Sequence, residues 1–194
     1  HIDGVVISHD HADQTNGFDD VRAYFIKQRR TIPVWMDEAT RATFMQRFGY
    51  AFESKGGYSA FVRRADRIAP LVPMLIEGPG DAMEVLPLEQ DHGFSQSLGF
   101  RVGGFGYSND LAAMPEASFA ALGGLDLWIV DTLRETPHPT HAHLARTLEW
   151  VERLKPKHAV LTNMHIDLDY RALKARLPAG VEPGYDGWSA DLQV

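Results

Sequence analysis

The 194-residue chain contains no cysteine. This excludes disulfides and thiolate metal ligands, and leaves imidazole and carboxylate as the groups able to hold a metal. It also fits a reducing compartment, so a cytoplasmic location is the expectation. No apolar run approaches the ~18 residues of a membrane span and no signal-peptide pattern is visible, so no membrane contact is expected. Positive charge is scarce: 19 Lys and Arg against 26 Asp and Glu give a formal net charge of −7. Basic runs are no longer than Arg29-Arg30 and Arg63-Arg64. That balance speaks against a nucleic-acid-binding surface. Repeats and low-complexity tracts are also lacking. What remains is a chain with an ordinary hydrophobic fraction of 44%, read as one domain over 1–194 and long enough to bury a proper core.

The most informative stretch is His9-Asp10-His11-Ala12-Asp13-Gln14, directly after the apolar run Val5-Val6-Ile7. A short buried strand that ends in imidazoles and carboxylates delivers metal ligands at its C-terminal end. His9 and His11 are two apart, so both rings point one way from an extended segment. Imidazole with carboxylate suits Zn²⁺ and related divalent ions.

Strands and helices alternate along the rest. Helical spacing of Phe18, Val21 and Phe25 follows the motif, then a strand Ile32 to Met36 and a helix Glu38 to Phe48. Residues 49–82, rich in Gly and Pro, read as a long excursion. Strands are expected over Met83 to Leu88, Leu98 to Tyr107, Leu127 to Val130 and His158 to Thr162. Helices are expected over Ser118 to Leu122, Leu144 to Leu154 and Tyr170 to Leu177. Such alternation predicts a layered α/β architecture.

The motif resembles the His-x-His-x-Asp-His signature of the metallo-β-lactamase-fold hydrolases, matching at His9, His11 and Asp13 and departing at Gln14. Gly17-Phe18-Asp19-Asp20-Val21-Arg22 is similar to the corresponding segment of the PhnP-type phosphodiesterases. So are Leu161-Thr162-Asn163-Met164-His165 with Asp167-Leu168-Asp169-Tyr170, and Val181-Glu182-Pro183-Gly184-Tyr185-Asp186-Gly187. The resemblance implies an αββα sandwich. Family members place several strands before the motif, so the sandwich is expected to lack its N-terminal strands here and the domain to be incomplete at that end.

The same resemblance implies a site. His9, His11, His92 and Asp110 are expected to converge on one metal ion, with Asp110 bridging to a second. Asp13 would hold a metal or orient the attacking water. His141, in Pro137-His138-Pro139-Thr140-His141-Ala142-His143-Leu144, takes the place of the family's phosphodiester-interacting histidine and would serve the leaving group. His138 and His143 read as helix-start or surface residues. Asp131, at another strand end, reads as orienting a histidine or a backbone turn, although bare sequence also allows it as a ligand. At the second metal position, Gln14 and Asn163 replace imidazoles by amides and would be weak ligands. His165, two residues past Asn163, would supply the missing imidazole if the strand continues that far.

These residues imply a divalent cofactor, Zn²⁺ or Mn²⁺ in one or two copies, and hydrolysis of a small or cyclic phosphodiester by a metal-bound hydroxide. No serine has a triad context, so no protein nucleophile is called for. Two other readings stay open: a tRNA 3′-end-type endonuclease on the same fold, and a metal-depleted relative that binds a phosphorylated ligand without turnover. A homodimer is compatible with all three.

Overall fold

The computed structural model describes residues 1–192. It divides into two compact units, His1–Met83 and Glu84–Val194. Among the described residues, no helix is long and apolar enough to cross a membrane.

The first unit is built on three parallel strands in the order β1 (Val5–Val6), β2 (Ile32–Trp35), β3 (Val62–Arg64). Parallel neighbours need a crossover. One is supplied by α1 (Ala12–Thr15) and α2 (Val21–Gln28), the other by α3 (Glu38–Phe48). Asp37 caps α3, its carboxylate accepting from the Thr40 N–H at 2.7 Å. Along β2 the side chains alternate, and Ile32 and Val34 join Met36, Phe18, Phe44, Phe61 and Val62 in one buried cluster. Phe18 and Phe44 meet edge to face at 4.8 Å between ring centres, an arrangement that aromatic quadrupoles favour.

The second unit carries a sheet whose strands follow the order β10 (Val181–Pro183), β9 (His158–Thr162), β8 (Leu127–Asp131), β7 (Phe105–Ser108), β6 (Gln96–Val102), β5 (Met83–Asp91). The pairs β5–β6 and β6–β7 are antiparallel; β7–β8, β8–β9 and β9–β10 are parallel. The crossovers are α4 (Glu116–Ala121), α5 (Leu144–Leu154) and α6 (Tyr170–Arg176). Helix α5 buries Leu144, Thr147 and Trp150. The latter joins Trp128, Val130, Leu161, Leu173 and Phe119 in this unit's core. Lys155, with φ of 50°, ends α5 in the left-handed conformation and returns its N–H to the Val151 carbonyl, just before Pro156.

The structure departs from, or adds to, the sequence expectations at three points. The Gly/Pro-rich 49–82 stretch is not without strands: it holds β3 and a further short strand, β4 (Met74–Ile76). Three-residue strands carry too little periodicity to be read from sequence. The single strand expected over Leu98 to Tyr107 is two strands hinged at Gly103-Gly104, where Gly103 has φ of 53°. Val181–Pro183 forms an edge strand that was not expected.

Phe44 is fully buried among aromatic neighbours. Phe44→Ala is therefore expected to destabilise the chain by about 3–5 kcal/mol, read as a lower midpoint in urea unfolding at unchanged slope.

Candidate metal centre

In the first unit, the motif is delivered by β1. The Ile7 N–H extends the ladder by bonding the Trp35 carbonyl at 2.9 Å, so the chain is still extended when it reaches His9. His9 is buried and His11 exposed, and their rings meet edge to face with centres 4.5 Å apart. Asp13 and Gln14 lie on α1, both exposed, with the Gln14 amide donating to Asp13 Oδ2 at 3.2 Å.

The motif turn is held by a residue that sequence reasoning passed over. Arg47, near the end of α3, ion-pairs with the Asp10 carboxylate and donates to Thr15 Oγ1 at 2.7 Å and Asn16 Oδ1 at 3.1 Å. Asp10 occupies a spacer position between the two histidines, which is why it attracted no role. Its side chain is 9% exposed, against 38% for Arg47, so the carboxylate could not sit there without a cation.

In the second unit, strand direction assembles the site. Strand β5 is antiparallel to β6, and β6 to β7, so β5, β7, β8 and β9 all run the same way. Their C-terminal ends share one edge of the sheet, and each supplies a polar residue there. His92 follows β5, Asp110 follows β7, Asp131 ends β8 and Asn163 follows β9. Asp110 (φ 53°) and Asn163 (φ 60°) both adopt the left-handed conformation. Asp and Asn tolerate that region better than other non-glycine residues, and such backbone settings cluster at functional sites.

The donor atoms of His92, Asp110 and His141 lie within 4.8 Å of one another. His141 Nδ1 is 2.9 Å from Asp131 Oδ2 and 3.5 Å from Asp110 Oδ1. Asp131 is fully buried. Its Oδ2 also accepts the Leu111 N–H at 3.2 Å, and its main-chain carbonyl takes the Thr147 hydroxyl at 2.7 Å. A buried carboxylate accepts only, so His141 carries its proton on Nδ1 and leaves Nε2 outward. His92 is set in the same way, with Nδ1 2.7 Å from the Thr140 carbonyl. A carbonyl can only accept, so the lone pair of His92 is on Nε2.

Asn163 lies between the two carboxylates. Its amide nitrogen donates to Asp110 Oδ1 at 3.1 Å and Asp131 Oδ1 at 3.3 Å. The 3.3 Å approach to His141 Nδ1 sets donor against donor and is not a bond. Asn163 thus turns its amide nitrogen toward both Asp110 and Asp131 in this arrangement. The premise for His165 changes. Strand β9 ends at Thr162 and the backbone turns at Asn163, so same-side alternation does not reach His165. That residue is half exposed, with Nδ1 3.1 Å from Asp167 Oδ2.

A tight loop ties His92 to His141. Gly93, with φ of 74°, packs so closely that a Cβ there would lie 2.6 Å from Thr140 Cγ2 and 2.8 Å from the Pro139 carbonyl. His138 lies on that loop, its ring centre 5.2 Å from that of His141. Burial and, after it, the Arg134 guanidinium hold the His138 imidazole below its usual range. Burial, reinforced by Asp110 and Asp131, raises the Tyr107 phenol above its own. His143 stands at the start of α5 without capping it through its side chain.

Mixed imidazole and carboxylate donors, two of them with tautomers fixed by partners behind them, suit a divalent cation. Comparison with known proteins agrees. The beta-lactamase superfamily domain matches residues 1–166. The chain belongs to the beta-lactamase superfamily. Its structure superposes on that of a diphosphatase from the PhnP family with a TM-score of 0.84 and 32% identity, covering 96% of this chain and 69% of the other. Zn²⁺-bound PqqB from Methylobacterium extorquens shares the fold at a TM-score of 0.70 and 13% identity, over 97% of this chain and 73% of PqqB. Human tRNase Z, short form, does so at 0.65 and 14%, over 100% and 80%. In sequence, an octanoyltransferase from Porphyromonas gingivalis is 23% identical over 192 residues, 97% of this chain. The chain spans only 38% of that curated relative's length. This superfamily member has the metallo-β-lactamase fold and the donor set of a metal-dependent hydrolase.

Asp131→Asn keeps the shape but removes the charge that faces His141 and turns one of the two acceptor oxygens, shared among His141, the Leu111 N–H and Asn163, into a donor. Outer partners of this kind are worth roughly 10–100-fold in activity or metal affinity. A loss of that size is expected in steady-state turnover, with the fold retained by circular dichroism.

Proposed function

We propose that this protein is a metal-dependent phosphodiesterase of the PhnP type, acting on a small or cyclic phosphodiester. The observation that carries the reading is the pairing of His141 with buried Asp131 beside His92 and Asp110. The 32% identity to a PhnP-family diphosphatase supports it. His92 and Asp110 in the second unit, and His9, His11 and Asp13 in the first, are the residues we assign to metal, and His141 is assigned to the leaving group. When bound, a divalent cation would supply Lewis acidity and lower the pKa of water toward ~7; Zn²⁺ and Mn²⁺ both suit these donors.

The chain's own residues do the rest. Asp131 fixes the His141 ring through Nδ1, so Nε2 is the atom that exchanges a proton with the leaving oxygen. An imidazolium at this position is stabilised by Asp131 and by Asp110 at 3.5 Å. After proton delivery, neutral His141 keeps the same hydrogen bond and is ready to be recharged. Burial of Asp131 excludes water from the pair, which strengthens the interaction. The chain's −7 charge disfavours a polyanionic RNA substrate and favours a small diester.

Hydrolysis of bis(p-nitrophenyl) phosphate with added Zn²⁺ or Mn²⁺, abolished by a chelator, is the test. His141→Ala should lower turnover by roughly 10²–10⁴-fold while metal content by elemental analysis is unchanged. Cleavage of a tRNA precursor without turnover of the diester would replace this reading with the endonuclease one. Absence of bound metal together with neither activity would replace it with the metal-depleted, ligand-binding reading.

A second expectation concerns the amides. With Gln14 and Asn163 where relatives are expected to have imidazoles, we propose one tight ion and a second, weaker one. Equilibrium dialysis against Zn²⁺ should show the second site tightening in the Gln14→His, Asn163→His double variant. Two equally tight ions in the wild type would overturn this.

A further inference from the structure

His138 has a fixed tautomer and an unused donor. Its Nδ1 receives the Thr140 backbone N–H at 3.3 Å and lies 3.3 Å from the Thr140 hydroxyl. Accepting a backbone N–H requires a lone pair on Nδ1, so the ring proton is on Nε2. That Nε2–H makes no hydrogen bond to any described residue. The loop around it is rigidly tied. Arg134 donates to the Thr136 carbonyl at 3.1 Å and the Pro137 carbonyl at 2.7 Å. Thr140 presents its own carbonyl to His92, and Gly93 packs against Pro139 and Thr140. The ring is half-buried, with its centre 5.2 Å from that of His141. The Nδ1 contacts account for one side of the ring and leave the Nε2 side to be explained.

We infer that His138 is a substrate-positioning residue whose Nε2–H donates a hydrogen bond to a phosphoryl oxygen of the diester held at His141. The inference rests on the phosphodiesterase reading and deepens it: His141 moves the proton, and His138 fixes the group from which the leaving oxygen departs. A neutral donor serves this role without bringing a net charge of its own.

The two ring nitrogens can be tested separately. In His138→Asn, the amide oxygen replaces Nδ1 and can accept the Thr140 N–H as an Asx turn, but nothing replaces Nε2–H. In His138→Gln, the longer amide places an N–H near the Nε2 position. Hydrogen bonds to charged groups are worth about 1.5–3 kcal/mol, so His138→Asn should lower kcat/KM by roughly 10-fold to 100-fold. His138→Gln should stay within about 3-fold of wild type. Competitive inhibition by inorganic phosphate should weaken in the Asn variant and persist in the Gln variant. Melting temperatures check that both variants fold. In the wild type, the imidazole N–H signal that the Asn variant lacks should shift when phosphate is added, which tests the contact without relying on a variant's stability.

Full activity in His138→Asn, or loss in His138→Gln with activity kept in His138→Asn, would show that the ring serves only the loop. Equal losses in both would mean that the ring is needed for something other than this donor, and would likewise overturn the inference. A wild type active on diesters distinguishes these failures from failure of the parent reading. A wild type inactive on diesters overturns both.

Discussion

The second unit depends on one buried carboxylate. Asp131 is fully buried at the end of a central strand, where an isolated charge would be prohibitively costly. Its position is therefore tenable only because its oxygens are occupied on every side. His141 arrives from the loop before α5, the Leu111 N–H from the turn after β7, and the Asn163 amide from the turn after β9. The main-chain carbonyl is taken by Thr147 on α5 itself. Three strands and a helix thus have their ends fixed by the need to solvate one group with protein. The chemistry inherits this precision, since His141 is oriented by the same contact that makes the buried charge tolerable.

The first unit solves the same problem with a different residue. Asp10 is drawn inward by the extended chain that carries His9 and His11, and Arg47 answers it from the end of α3 while bonding Thr15 and Asn16. Strand, turn and α1 are pinned by one guanidinium whose planar fork of donors reaches several acceptors at once. Lysine, a single point of charge, would not hold three groups in this way.

What the sequence made legible was set by how local the signal is. The motif from His9 to Asp13 and the helices α3 and α5 rest on short-range patterns, while His92 and Asp110 were singled out by the family resemblance. The short-range patterns include an apolar run broken by ligands, and apolar side chains at helical spacing. The structure brings His92, Asp110 and His141 together and seats Asp131 behind them. What was not legible depends on pairing across the chain. Strand β3 carries two arginines in three residues and exists because β2 offers it an edge. The break at Gly103-Gly104 reads as a continuation of an apolar stretch until β6 and β7 are seen to pair. Arg47 is an unremarkable helix residue unless Asp10 is known to be buried.

Asn163 shows why residue type alone misleads at such a site. Compared with a histidine signature, an amide reads as a degraded ligand, and the natural search is for a substitute such as His165. Within the fold the position has a different demand. Two carboxylates, Asp110 and Asp131, approach each other around His141, and their mutual repulsion must be relieved before any cation arrives. A neutral donor bridging Asp110 Oδ1 and Asp131 Oδ1 does this. An imidazole at Asn163 would add a titrating group between them and contest the acceptor that orients His141. The amide therefore satisfies both carboxylates without adding a charge, and the left-handed backbone at Asn163, which Asn tolerates, is the local condition that lets it reach both.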